Sequence, residues 1–357
     1  SYEKRIKAKK SDSIFTRPVW VVLFALSAAI AWGWAYPLIK LGFEEFSITG
    51  NMTGSKILFA GIRFCMSGIL VLAIAKAAGR KFTVSGAGGA MYLLLYALLN
   101  TAIHYACFYI GLSHSQGARA AILNSLGVFM LVILACLFFK SDKLTLPKIA
   151  GCAVGFAGIM ALNIGGGESG GFTLMGDGMI ILNALCSAFA GLMTRGLGKR
   201  ADVFVATGYS LFAGGVMLVV PGLAMGGTLP VVTFAGVVIL LLLVGISTLG
   251  FTLYNKLLSC NPVGKVAIFN SLIPVVGAVT SCLCLGEPFY WKYLSASGHA
   301  VHAQHYAGDI GCLVGCQEGK GRLPGRSCKQ VLQGQGSRLL QGVYRRGDGF
   351  QSRLYLE

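Results

Sequence analysis

Apolar residues in this chain come in long unbroken runs, not in the alternating or every-third-position pattern of a soluble fold. The runs fall at 19–39, 57–75, 90–111, 116–139, 147–164, 174–194, 204–225, 231–253 and 263–285. Each is near or above the ~18 residues at which an apolar run reads as a membrane-crossing helix. The breaks between them carry Gly, Pro, Lys or Arg, which end helices or sit in water. None of the runs has the polar stripe that a helix of a soluble bundle shows to solvent. The pattern therefore predicts an all-α, polytopic membrane helix bundle.

Composition supports lipid as the main solvent. The chain of 357 residues is 55% hydrophobic and 12% charged, with a mean hydropathy of +0.70, whereas a soluble domain is about 25% charged. The net charge of +17 is spread in short clusters between apolar runs, so basic loops are expected and a nucleic-acid partner is not. If the N-terminus is cytoplasmic, Lys4, Arg5, Lys7, Arg80, Lys81, Lys140, Lys143, Arg195, Lys199, Arg200 and Lys256 all fall on the cytoplasmic side. The opposite side holds little beyond Lys40, Lys56 and Lys292, so the positive-inside rule places the N-terminus in the cytoplasm of a cell-membrane protein. Eight of the eleven cysteines lie within apolar runs or, for Cys260, just beyond one, where they read as small packing residues and not as a disulfide framework. Val19 to Ile39 is long enough to span and is followed by no small-residue cleavage pattern, so no cleavable signal is expected.

Two stretches match without a gap. Ala-Arg119-Ala-Ala-Ile-Leu-Asn124-Ser125-Leu126 aligns with Gly-Lys265-Val-Ala-Ile-Phe-Asn270-Ser271-Leu272, and each follows a tyrosine on the preceding run, Tyr109 or Tyr254. Five crossings separate the copies, so they enter the membrane from opposite sides, as in an inverted-topology repeat. Two inverted halves that rock about a shared centre have the geometry of alternating access. The expected organisation is a basic tail at 1–18, one five-helix repeat at 19–164, a second at 174–296 that stops after nine helices, and a polar, disordered tail at 297–357.

That tail departs from the repeat. After Ala296 the text turns to a Gly, Arg and Gln mixture where a tenth apolar helix is due, and a reading-frame shift near Ala296 is the expected cause. His299, His302, His305, Cys312 and Cys316 imitate a soft-metal site within it, but their spacing fits no tetrahedral pattern. No metal or cofactor is expected.

Several short motifs resemble the EamA-type members of the drug/metabolite transporter superfamily. They are Trp32-Gly33-Trp34-Ala35-Tyr36-Pro37 with Lys40, Arg63-Phe64, Gly176-Asp177 and Leu285-Gly286-Glu287-Pro288, in that order from about residue 19 to 296. The resemblance implies ten helices in two inverted halves, a central solute cavity, and movement of amino acids, sugars or related metabolites, often outward. A membrane enzyme or flippase acting on lipid-linked substrates, or an inactive truncated product, remains the alternative. The enzyme would need paired carboxylates, and Glu44, Glu45, Asp142, Asp177 and Glu287 fall at run ends.

Candidate solute contacts follow from the cost of polar groups in hydrocarbon. A cation at a helix centre costs at least ~2.5 kcal/mol to insert, so Arg63 should bind an anionic group, pair with a carboxylate or snorkel to the interface. Arg119 and Lys265, near the start of their helices, can reach water as interfacial anchors or face the solute. Asn124 and Asn270 lie deeper, where an amide contacts solute or bridges helices. Trp32, Tyr36, Tyr105, Tyr109 and Tyr254 offer an aromatic wall or plain packing. His104 could couple transport to protons or serve as a hydrogen-bonded packing residue. Small-molecule solute and lipid are thus the expected partners; oligomeric state is left open.

Overall fold

The computed structural model describes residues 14–138, 172–194, 196–261, 266 and 268–288. The basic residues before 14, the fifth apolar run, Lys265 and the whole tail after residue 288, with its His and Cys decoy, lie outside them. Among the described residues every regular element is helical.

The helices follow the apolar runs. We label them α1 Pro18–Glu45, α2 Thr53–Ala77, α3 Gly86–Ser113, α4 Gly117–Asn124, α5 Leu126–Phe138, α6 Met179–Thr194, α7 Val203–Ala224, α8 Phe234–Cys260 and α9 Leu272–Leu285. Local chemistry sets several starts. Pro18 occupies the first turn of α1, where a missing N–H costs nothing. Asp202 accepts from the Phe204 N–H at 3.0 Å to begin α7, and Thr233 accepts from the Gly236 N–H at 2.8 Å to begin α8. Six of the described helical stretches are long and apolar enough to cross a membrane. Large apolar side chains such as Ile69, Leu94, Leu223, Leu241 and Leu283 point outward from the bundle, a surface that water would penalise and hydrocarbon welcomes.

Two apolar runs do not form the single uniform helix expected of them. The run at 116–139 is interrupted at Ser125, whose N–H bonds back three residues to Ile122 and whose hydroxyl bonds the same carbonyl at 2.6 Å. The run at 263–285 is interrupted at the matching place, by a tight 3₁₀ turn over Ile268–Ser271 before α9 begins at Leu272. The paired Asn-Ser-Leu motif thus marks the same backbone event in both copies. Ser and Asn offer the backbone competing hydrogen bonds, which explains why the break falls there. A third irregularity is a π-helical turn at Leu98–Ile103 inside α3, directly before His104, of the kind that re-aims side chains at functional places.

The most extensive helix pairing is between α2 and α7. Gly54, Gly61 and Gly68 on α2 and Gly208, Gly215 and Gly222 on α7 recur at every seventh position. They meet antiparallel: Gly54 faces Gly222, Gly61 faces the Gly215 carbonyl, and Gly68 faces Phe212. A Cβ on Gly215 would lie 2.5 Å from the Cys65 backbone nitrogen, so only hydrogen permits this approach. Each half thus contributes one glycine face, and van der Waals packing of two backbones fastens the halves together.

Candidate functional site

Between the halves, a continuous group of aromatic rings surrounds polar atoms. Trp32 on α1 meets Phe251 and Tyr254 of α8 edge to face at 5.5 and 5.2 Å. Phe64 on α2 lies 4.1 Å from Tyr105 on α3, and Tyr105 touches His104, Phe108 and Phe251. Edge-to-face ring pairs of this kind contribute about 0.5–1.5 kcal/mol each beyond the area they bury.

Arg63 is buried at the edge of this group, with its side chain directed inward and not snorkelling. Its Nε donates to the Leu243 carbonyl at 3.1 Å and to Ser247 Oγ at 2.8 Å, both on α8, and a terminal nitrogen donates to the Tyr109 hydroxyl at 3.0 Å. The guanidinium also lies over the rings of Phe64 and Tyr105 at 5.0 and 6.0 Å. These are all neutral partners. Among the described residues no carboxylate pairs with Arg63, so its full positive charge is compensated by dipoles and ring faces alone.

A second cluster joins the repeat asparagines to tyrosines. Asn124 Nδ2 donates to the Tyr36 hydroxyl at 2.9 Å, and Asn270 Nδ2 donates to the Tyr254 hydroxyl at 2.8 Å. The copies share this pairing but draw the tyrosine differently. Asn270 takes the tyrosine that precedes it in sequence, whereas Asn124 reaches Tyr36 on α1 and Tyr109 bonds Arg63. Asn183 on α6 then donates to Asn124 Oδ1, so α1, α4 and α6 are linked through three side chains.

Several polar side-chain atoms are buried without a hydrogen-bond partner among the described residues, among them Trp32 Nε1, Thr101 Oγ1, His104 Nδ1, Asn183 Oδ1, Thr248 Oγ1 and Thr252 Oγ1. An unsatisfied buried polar atom costs about 1–3 kcal/mol. Asn183 was not among the residues singled out from sequence. Its only signal was being an amide in the middle of an apolar run.

Arg119 lies elsewhere. It does not reach water at the interface: its side chain is 4% exposed and grips Asp177, 2% exposed, through Nε to Oδ1 at 2.9 Å and a terminal nitrogen to Oδ2 at 2.8 Å. Asp177 also accepts from the Thr173 N–H at 3.0 Å. The partner was overlooked because Asp177 is 58 residues away in sequence, and only folding places the start of α6 beside the start of α4. Removing one member of such a pair leaves a buried charge exposed to hydrocarbon. Asp177→Ala is therefore expected to cost about 3 kcal/mol, measured as a fall in Tm of purified protein in detergent; an unchanged Tm would show that the pair contributes nothing.

Lys40 and Glu287, from two further motifs, meet at 2.9 Å. The motif residues thus divide into an aromatic and polar centre (Trp32, Tyr36, Arg63) and a polar closure at one end (Lys40, Arg119, Asp177, Glu287).

Comparisons with known proteins identify the family. The family model described as the EamA-like transporter family matches the chain twice, at residues 19–164 and 174–301. The chain is 26% identical to the uncharacterized transporter YvbV of Bacillus subtilis over 74% of its own length and 84% of that protein's. It is 28% identical to the uncharacterized inner membrane transporter YedA of Escherichia coli over 58% of its length and 63% of the relative's. It is also 24% identical to a protein named as a probable terminal-alkyne amino-acid exporter in Streptantibioticus cattleyicolor, over 76% of this chain and 86% of that one. A solved crystal structure superposes with a TM-score of 0.59 at 15% identity, covering 82% of this chain and 97% of the other, a likeness of fold.

Proposed function

The chain belongs to the EamA-like transporter family, and on that premise we propose that it is a secondary transporter. It carries a small, carboxylate-bearing metabolite of amino-acid type out across the cytoplasmic membrane by alternating access, with its N-terminus in the cytoplasm. The observation that carries this reading is Arg63, buried between α2, α3 and α8 with only neutral hydrogen-bond partners among the described residues, next to the aromatic group that includes Trp32 and Tyr105. Arg63 supplies the positive end, to which a carboxylate adds the counter-charge that no described side chain provides. Trp32 Nε1 donates a further hydrogen bond, and Asn183 Oδ1 accepts one, as an ammonium or hydroxyl requires. The aromatic rings enclose the apolar body of the solute.

A rival enzymatic reading gains no support from the acidic residues. Asp177 is committed to Arg119, Glu287 to Lys40, and Glu45 accepts from the Thr233 hydroxyl. Among the described residues no two carboxylates are left to share the acid and base roles of a hydrolytic site.

The test is solute counterflow in proteoliposomes with a panel of radiolabelled neutral and anionic amino acids, beside sugars and amines that lack a carboxylate. Saturable exchange of a carboxylate-bearing member, with no exchange of the amines, is the expected result. Exchange confined to sugars or amines would overturn the assignment of Arg63, and hydrolysis of a lipid-linked substrate without any exchange would overturn transport.

A further inference from the structure

The residues at the end of the bundle where α1 and α9 finish and α4 and α6 start have no role in the solute centre. Five hydrogen bonds there cross between the halves. Besides the Lys40 pair, Glu287 Oε1 accepts from the Gly117 N–H at 2.8 Å and Oε2 from the Ala118 N–H at 3.1 Å. One carboxylate, following α9 and steadied by an ammonium from α1, therefore holds the free N–H groups of the first turn of α4, where a negative charge is favoured. Arg119, the next residue of α4, is held from the other side by Asp177 of the α6 turn.

These attachments differ in how readily they can part. Arg119 and Asp177 are almost wholly buried, so separating them leaves two buried charges without a partner. On the other side, α1 and α9 pack closely, with Gly33 against Val276. The Lys40 and Glu287 side chains are 23% and 10% exposed, so water can take over their hydrogen bonds when α9 leaves α4. The glycine contact of α2 with α7 has no charged group to exchange and no spare room.

We propose that Glu287 is a latch: held by Lys40, it clamps α9 and α1 onto the first turn of α4 and so closes this end of the transporter. Opening breaks its two hydrogen bonds to Gly117 and Ala118, while Arg119 and Asp177 keep α4 on α6. The proposal rests on the alternating-access reading for its purpose, but the latch can be measured without any solute.

The test uses full-length protein in nanodiscs, with native cysteines replaced and Ala118→Cys as a reporter. Ala118 is fully buried beneath the latch, and its thiol should react slowly with a water-soluble maleimide. Glu287→Ala should speed labelling roughly tenfold or more, the size expected for losing charge-assisted hydrogen bonds. Glu287→Gln, which keeps one acceptor, should have a smaller effect, and Lys40→Met a smaller one still. Ala206→Cys, fully buried in a separate cluster, reports general unfolding and should stay unreactive throughout. Unchanged labelling at position 118 would overturn the latch. Equal increases at 118 and 206 would overturn it too, because Glu287 would then merely hold the fold. If labelling rises at 118 alone while counterflow finds no carried solute, the latch stands and the transport reading falls.

Discussion

Replacing Gly215 by Leu is expected to abolish the folded protein. The Cβ alone would meet the Cys65 backbone nitrogen at 2.5 Å, and a backbone atom of a spanning helix cannot move aside as a flexible side-chain tip can. The α2 and α7 helices would have to separate along the glycine face. Overpacking a single well-filled place typically costs about 1–3 kcal/mol, and here the misfit lies where the two backbones pack, with no apolar driving force in lipid to draw them back. The measurement is the yield of monodisperse protein after detergent extraction and its Tm. A Gly215→Leu protein that elutes and melts like the parent would show that the halves are fastened elsewhere. Gly215→Ala should be intermediate, since it adds the clashing atom and nothing beyond it, whereas Gly245→Ala, where nothing lies within 4 Å of the added Cβ, should be silent.

The second large effect is expected at Arg63. Arg63→Met keeps much of the length and apolar stem of the side chain but removes the charge, so it should weaken exchange of a carboxylate-bearing solute by about 10- to 100-fold, the range for losing a hydrogen bond to a charged group. Its Tm should change little or rise, because a buried cation without a carboxylate partner is costly to keep in hydrocarbon. Arg63→Lys should not restore transport. A single ammonium cannot reproduce the planar fork that meets Leu243 and Ser247 on α8 while reaching Tyr109 on α3. Counterflow and Tm on the same preparations separate the two roles. Loss of folding with Arg63→Met would make the residue a structural brace, and unaltered exchange would remove it from the solute centre.

The pair of effects separates fastening from recognition within the same crossing helix. Gly61 and Gly68 of α2 lie toward α7, while Arg63 of the same helix reaches α8 and α3. A helix turns about 100° per residue, so one crossing can present backbone to one neighbour and a cation to another. The same economy appears on α4, where Ala118 and Arg119 take part in the closure at one end and Asn124 takes part in the centre one and a half turns on.

What the sequence alone determined was the solvent and the class of fold. Runs of eighteen or more apolar residues leave the backbone only one way to satisfy its hydrogen bonds in hydrocarbon, as helices, and the match of Arg119–Leu126 with Lys265–Leu272 exposed the repeat because it extends over consecutive positions. Arg63 was legible as a cation that needs a partner or the interface, but not which of the two it takes. Tertiary structure decided which polar residues meet. Arg119 looks like an interfacial anchor until Asp177 is placed beside it, Asn124 prefers the distant Tyr36 to the nearby Tyr109, and Lys40 and Glu287 are 247 residues apart. Such pairings depend on how helices from opposite halves are rotated and raised against one another. That is set by the glycine face of α2 and α7 and by the breaks at Ser125 and Ser271, through packing of backbone on backbone that hydropathy does not register.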